Sequence, residues 1–154
     1  MTTFWGPPLS GDPDAGALTL AGFLRECVAT NGPREAVVAY NANGRLSWTY
    51  ENLENAARGV AHALIAAGVE PGERVALLMG NRPSWVASAF GIALAGGVLV
   101  PVNTYLEPRE LAYVLAHSDA SLLLMQSELA GHDYVAAVSA LAADAAIPAL
   151  RAAA

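Results

Sequence analysis

The sequence contains no lysine, although it is 154 residues long and carries a net charge of −6. Its positive charge comes from eight arginines: Arg25, Arg34, Arg45, Arg58, Arg74, Arg82, Arg109 and Arg151. The phosphate-binding loops of many nucleotide enzymes use a lysine that reaches the β- and γ-phosphates. The absence of lysine therefore excludes a phosphate loop of that type from this sequence.

Cysteine is nearly absent as well, because Cys27 is the only one. A single cysteine excludes an intramolecular disulfide and a cysteine metal cluster. Cys27 lies on the apolar stripe of a predicted helix, so we expect a buried structural thiol. The first eight residues have neither the basic start nor the apolar run of a signal peptide, and we expect a reducing, cytoplasmic location.

Aromatic side chains are scarce at 7%, although apolar residues make up 55% of the chain. Alanine supplies much of that apolar fraction and buries little area, so we expect a shallow core. The negative net charge disfavours binding to phosphate backbones and to anionic membrane surfaces. We therefore expect no nucleic-acid partner.

One long uncharged stretch, Ser84 to Leu106, has the length of a membrane span. The pair Gly96-Gly97 and then Pro101 interrupt it. The pattern before the glycines is typical of a helix, and Val98–Val100 after them is typical of a buried strand. We therefore predict a helix, a turn and a strand here, and no transmembrane segment.

We expect the chain to consist of a flexible lead-in over residues 1–16, one domain over 17–151 and a tail over 152–154. Turn residues and apolar spacing predict the elements of the domain. The predicted helices follow Thr19 up to Asn31 and then cover about 50–67, 83–95, 108–117 and 133–143; the predicted strands are 35–40, 45–49, 74–79, 98–102 and 121–125.

These elements predict an α/β fold. The strands at 35–40 and 45–49 flank Asn41-Ala-Asn-Gly44, whose residues favour a hairpin turn. The three later strands are short apolar runs separated by helices, and such βαβ units give parallel strands with right-handed crossovers. We expect a parallel sheet with crossover helices, preceded by a β-hairpin.

No residue of the sequence qualifies as a catalytic, cofactor-binding or metal-binding candidate. The glycines of Gly91–Gly97 lack the lysine of a phosphate loop and instead favour close packing and a turn. His117-Ser118-Asp119 has the residue types of a hydrolase triad, but triad side chains converge from separate segments. We expect these three residues to end a helix, where histidine complements the helix dipole.

Five segments in order resemble the adenylate-forming ligases of the acyl-CoA synthetase type. Each segment is weak alone, but their order and gaps together are specific over about residues 18–151. The segments are Leu46–Leu53 (LSWTYENL), Gly68–Ala76 (GVEPGERVA), Asn81–Trp85 (NRPSW), Gly96–Asn103 (GGVLVPVN) and Glu110–Leu115 (ELAYVL) followed by Ser118-Asp119.

The resemblance implies a fold and an activity for the family's full-length enzymes. Similar enzymes use ATP and Mg²⁺ to adenylate a carboxylic acid, and then pass the acyl group to coenzyme A, often in fatty acid metabolism. Pro101-Val-Asn103 is closer to acyl-CoA ligases than to peptide-synthetase modules. Many relatives carry arginine two residues after this asparagine, whereas Tyr105 stands there in this chain.

The family's catalytic motifs, including its lysine-ended loop and its C-terminal lysine, come later than the stretch that this sequence matches. We therefore expect the N-terminal portion of an AMP-dependent ligase domain, inactive alone and with no cofactor bound by this chain itself. The remainder of the domain would be its missing structural partner, because Ile147–Arg151 resembles the family's approach to a further strand. The alternative is a stand-alone small α/β binding or interaction module without catalysis.

Overall fold

The computed structural model describes residues 19–129 and 131–153, so the lead-in predicted over 1–16 lies outside the described residues. Five helices and eight strands follow one another within them. The elements are α1 (Leu20–Asn31), β1 (Glu35–Asn41), β2 (Gly44–Thr49), α2 (Tyr50–Ala66), β3 (Arg74–Leu78), α3 (Pro83–Leu94), β4 (Val98–Pro101), α4 (Pro108–His117), β5 (Leu122–Met125), β6 (Glu128–Leu129), β7 (His132–Asp133), α5 (Tyr134–Ala143) and β8 (Ala152–Ala153).

The helices begin at residues that compensate for free backbone N–H groups. The Thr19 hydroxyl accepts a hydrogen bond from the Gly22 N–H at 3.0 Å. Thr49 and Asn52 exchange two hydrogen bonds of 3.1 Å at the start of α2. Pro83 occupies the first position of α3, where its missing N–H costs nothing. These local signals explain why the predicted helix starts are correct.

The central sheet is parallel and has the strand order β4-β3-β5-β8. The hairpin β1-β2 is separate and antiparallel, and its turn lies at Asn41–Gly44 as predicted. Both features confirm the predicted α/β fold with parallel strands and an initial hairpin. Two residues that the sequence placed in a tail, Ala152 and Ala153, instead pair with Leu122 and Leu123 of β5.

The strands are continuously apolar because helices cover both faces of the sheet. Val75 and Leu77 face a cluster that includes side chains of α2 and α3. Ala76 and Leu78, which alternate with them, face a cluster that includes side chains of α4 and α5. All four residues are at most 1% exposed. Each face of β3 therefore belongs to a separate hydrophobic cluster.

Two helices, α1 and α2, bury only part of their predicted apolar stripes. On α1 only Leu24 is buried, whereas Leu20 and Phe23 are about half exposed, at 53% and 51%. The expectation of a buried Cys27 was wrong, because this thiol is only partly covered. Ile65 of α2 is exposed too, at 55%. The borders of the two stripes therefore stay outside the buried contacts.

The long uncharged stretch from residue 84 to 106 is divided between α3 and β4. Gly96 between them has φ +82°, a left-handed conformation that glycine adopts without strain. The Gly97 N–H then donates to the Ile92 carbonyl at 2.9 Å, which ends the helix. Within the described ranges, no helix combines the length and the apolar character needed to cross a membrane.

Candidate functional site

A cavity of about 610 Å³ opens at the carboxyl ends of β3 and β4. The chain passes from β3 to β4 on one side and then back across β3 to β5, so its direction along the sheet reverses here. Ligands of open α/β sheets bind at such a reversal, outside the carboxyl ends of the strands. The described residues that line the cavity are Met79, Gly80, Asn81, Trp85, Pro101, Val102, Asn103, Thr104, Tyr105 and Leu129.

Gln126 occupies the crevice between the ends of β3 and β5. Its N–H donates to the Leu78 carbonyl at 3.0 Å, and its side-chain Oε1 accepts from the Gly80 N–H at 3.1 Å. Its Nε2 donates to the Glu128 carbonyl at 3.0 Å. Leu129 packs against Gly80, where an added Cβ would lie 3.2 Å from the leucine Cδ2. These contacts fill the β3–β5 side and leave the open volume beside β4.

The loop that follows β4 forms the opposite wall. The Val102 N–H donates to the Leu77 carbonyl at 3.0 Å, which is the last bond of the chain to β3 before the loop. The Asn103 Oδ1 then accepts from the Tyr105 N–H at 3.0 Å. The Tyr134 hydroxyl donates to the Thr104 carbonyl at 2.6 Å. Each of three successive loop residues is thus fixed by a hydrogen bond.

Tyr134 is a titratable residue beside the cavity, and the fold raises the pKa of its phenol. Burial raises the pKa of the Tyr134 phenol, and the charge of nearby Tyr105 raises it further. The ring is only 4% exposed, and the hydroxyl already donates to a carbonyl. Both conditions favour the neutral phenol, which can donate this bond, over the phenolate, which cannot.

All ten of the described lining residues are uncharged. Arg82 follows Asn81 in the chain, but it lines a neighbouring cavity of about 460 Å³ that also includes Tyr40 and Trp48. Four other arginines form ion pairs with carboxylates elsewhere: Arg45 with Glu35, Arg58 with Glu54, Arg74 with Asp119 and Arg151 with Glu73. The site therefore suits uncharged ligand groups better than phosphates, which need cations or a cradle of N–H groups.

The residue types of a hydrolase triad at positions 117–119 make structural contacts. His117 is the last residue of α4 and stacks on Tyr113 with 5.3 Å between ring centroids. The Ser118 hydroxyl donates to the Leu115 carbonyl, and Asp119 lies 3.9 Å from Arg74. These residues end a helix, as predicted. Across the described part of the chain, no group of three His, Cys, Asp or Glu side chains could hold a metal ion.

The glycines of Gly91–Gly97 have structural uses. A Cβ on Gly91 would lie 2.6 Å from the Val60 Cβ, because α3 crosses α2 closely at this point. Gly96 provides the left-handed turn before β4. Both observations agree with the predicted packing and turn.

Sequence reasoning identified some segments of the site and missed others. Asn81–Trp85 and Gly96–Asn103 belonged to the resembling segments, and both contribute to the cavity. Gln126, Leu129 and Tyr134 were not identified, because they follow no motif or periodicity. The polar Gln126 directly after an apolar strand was a usable signal, since ligands and polar contacts gather at carboxyl ends of parallel strands.

Together, the parallel sheet, the helices on both of its faces and the cavity define an open α/β unit with a site at the carboxyl edge of its sheet. The family model for AMP-binding enzymes matches residues 24–152. The chain therefore belongs to the family of AMP-binding enzymes.

Individual relatives agree with the family. The chain is 32% identical to the acyl-CoA ligase SID4 of Ajellomyces capsulatus over 117 residues, which are 75% of this chain and 19% of that protein. It is 33% identical to a putative acyl-CoA synthetase, YngI of Bacillus subtilis, over 80% of this chain and 22% of that protein. The chain thus spans about a fifth of the length of these relatives.

A solved structure agrees as well. The N-terminal domain of FACL13 from Mycobacterium tuberculosis superimposes with a TM-score of 0.75 at 26% identity, covering 88% of this chain and 32% of that one. The similarity confirms the expected ligase-like fold.

Proposed function

We propose that this chain supplies part of the ligase domain of an ATP-dependent acid–CoA ligase and that it does not adenylate carboxylic acids by itself. The uncharged cavity at the sheet's carboxyl edge carries this proposal. Adenylation develops charge on the phosphates, which requires cationic groups and a metal ion to stabilise it. The described lining residues of the cavity include no such group.

We propose that the substrates bind to the complete ligase domain and not to this chain alone. ATP, Mg²⁺, coenzyme A and a carboxylic acid, for example a fatty acid, would meet where this unit adjoins the remainder of the ligase domain. Residues 17–151 together with β8 would then form one continuous part of that domain. We propose a cytoplasmic location, where the single thiol of Cys27 stays reduced.

The alternative is a small α/β binding or interaction module without catalysis. One observation favours it, namely that helices cover both faces of β3 and leave its apolar residues fully buried. Such a core could fold independently of any further partner. Under this alternative the chain would be a monomer or a defined dimer with a cooperative unfolding transition.

A titration with MgATP tests the proposal. We expect amide resonances of Gly80, Asn81 and Asn103–Tyr105 in the ¹⁵N-labelled chain to show no saturable change up to millimolar MgATP. A matched titration with MgCl₂ alone controls for ionic strength. Saturable changes confined to the cavity would contradict the proposal, because they would show that this chain binds nucleotide without the family's phosphate-binding lysine.

A further inference from the structure

Tyr134 connects two segments that are far apart along the chain. Its backbone N–H donates to the Ser127 carbonyl at 3.0 Å and so joins the two ends of the hairpin β6-β7. Its hydroxyl donates to the Thr104 carbonyl at 2.6 Å, thirty residues away. The ring between these two bonds lies in the cluster that also contains Leu111 and Val138. A single rigid side chain therefore connects the hairpin to the loop after β4.

Both connected segments line the carboxyl-edge cavity. The hairpin contributes Leu129, which packs on Gly80, and the loop contributes Thr104 and Tyr105. Tyr105 is 84% exposed, so its own side chain has little packing to hold it. The position of this wall depends on hydrogen bonds, and within the described residues the bond from Tyr134 is the side-chain bond that reaches residues 103–105 from another segment.

We propose that Tyr134 is a positioning residue that holds the loop after β4 against the hairpin β6-β7 and thereby sets the width of the cavity. This inference rests on the proposed function only for the use of the cavity. The buried ring packs in the core in any case, so the hydroxyl is the part that serves the loop. Without it the Thr104 carbonyl loses its partner and the loop gains a second position.

Hydrogen exchange measured on the 154-residue chain tests the role of the hydroxyl. Tyr134→Phe keeps the ring and removes only the O–H group. We expect exchange of amides in residues 102–107 to rise about two- to tenfold, as for the loss of one ordinary hydrogen bond. Amides of β3 should keep their rates. The control Tyr113→Phe removes a hydroxyl from a ring that is 65% exposed, and it should change neither region.

The shape of the cavity can be followed through Trp85, which is another of its lining residues. In the chain labelled with 5-fluorotryptophan, the ¹⁹F signal assigned through Trp85→Phe should shift in Tyr134→Phe and stay in place in Tyr113→Phe. An unchanged Trp85 signal with unchanged loop exchange would overturn the proposal. A uniform rise of exchange over the whole chain would overturn it too, because it would show a purely structural role.

A measurement on the unsubstituted chain covers the case in which Tyr134→Phe does not fold. The Tyr134 hydroxyl proton should give a resonance protected from solvent, with nuclear Overhauser contacts to protons of residues 104 and 105. A hydroxyl proton that exchanges freely would contradict the proposal. None of these measurements involves ATP, so their failure and a failure of the proposed ligase role are distinguishable.

Discussion

At the residue scale, Gly91 shows how one missing side chain sets the distance between two helices. A Cβ at this position would approach Val60 Cβ to 2.6 Å and the Ala57 carbonyl oxygen to 2.9 Å. Real Cβ atoms do not approach other heavy atoms so closely, so α2 or α3 would have to move. The packing of α2 on α3 joins two of the hydrophobic clusters, since Val60 and Ala57 belong to different ones. A small change at residue 91 therefore affects much of the core.

Gly91→Ala should destabilise the chain although alanine favours helices. Overpacking typically costs about 1–3 kcal/mol, which exceeds the roughly 1 kcal/mol that alanine gains over glycine in a helix. Gly59→Ala is the matched control, because Gly59 lies in α2 with nothing within 4 Å of an added Cβ. Urea denaturation should show lower stability for Gly91→Ala and higher stability for Gly59→Ala. Equal gains in both variants would refute the close crossing.

Tyr134 should make stability depend on alkaline pH. Because folding raises the pKa of this phenol, its contribution is complete below the unfolded pKa of about 10 and is lost as pH rises through the folded value. The free energy of unfolding should therefore fall more steeply above pH 10 in the unsubstituted chain than in Tyr134→Phe. Comparing the two proteins isolates Tyr134 from the other tyrosines. Parallel pH profiles would show that burial does not hold this phenol neutral.

At the element scale, Arg151 fixes the place where β8 joins the sheet. Its guanidinium donates to the Ala67 and Gly68 carbonyls at 3.2 and 2.9 Å, just beyond α2, and to Glu73 at 2.8 Å. Its backbone N–H donates to the Ser121 carbonyl at 2.9 Å. A positive charge at the carboxyl end of a helix also complements the helix dipole. One residue thus aligns β8 with both α2 and β5.

Arg151→Ala should lower stability by about 0.5–1.5 kcal/mol, since the guanidinium is partly exposed and its ion pair adds little by itself. Hydrogen exchange at residues 152 and 153 should rise together with this loss. The control Arg58→Ala breaks a pair with Glu54 within α2 and should cost only about 0.3–0.5 kcal/mol. Similar effects of the two substitutions on residues 152 and 153 would contradict the role of Arg151.

The elements themselves were largely predictable from sequence, because their signals are local. Thr19, Thr49 and Pro83 mark helix starts, and the run Val75–Leu78 predicts a strand buried on both faces. The strand β8 was not predictable from local propensity, since alanine is depleted in strands, and only the resemblance of Ile147–Arg151 to the family's approach to a further strand pointed to it. Of the carboxyl-edge site, the sequence indicated only two separate segments, Asn81–Trp85 and Gly96–Asn103. Its closure by Gln126 and Tyr134 depends on contacts between residues distant in sequence.

At the scale of the whole molecule, the buried core contrasts with apolar side chains that face outwards. β3 is buried on both faces, yet Leu20, Phe23, Ile65 and Val135 are each about half exposed, between 47% and 55%. They lie on α1, α2 and α5. Leu20 and Phe23 lie one turn apart on α1, and neighbouring exposed apolar side chains of this kind are typical of surfaces that pack against further protein. This agrees with the proposed role as part of a larger ligase domain.

We expect the chain to bind a dye for apolar surfaces and to self-associate. The double variant Leu20→Ser, Phe23→Ser should reduce the dye fluorescence, because it removes two neighbouring exposed side chains of α1. Sedimentation measures the self-association, and thermal unfolding measures the stability and the sharpness of the transition. A clean monomer without dye binding and with a sharp, high melting transition would favour the independent module over the ligase part.

The most direct measurement of the central claim is ATP–pyrophosphate exchange by the purified 154-residue chain with fatty, aromatic and amino acids. We predict exchange no higher than in a heat-treated blank, while an intact acid–CoA ligase in the same assay is active. Asn81→Trp should block the carboxyl-edge cavity, since Asn81 is one of its lining residues and its side chain is exposed. Exchange that depends on the acid, persists through repurification and disappears in Asn81→Trp would show that this chain adenylates alone, and it would contradict this prediction.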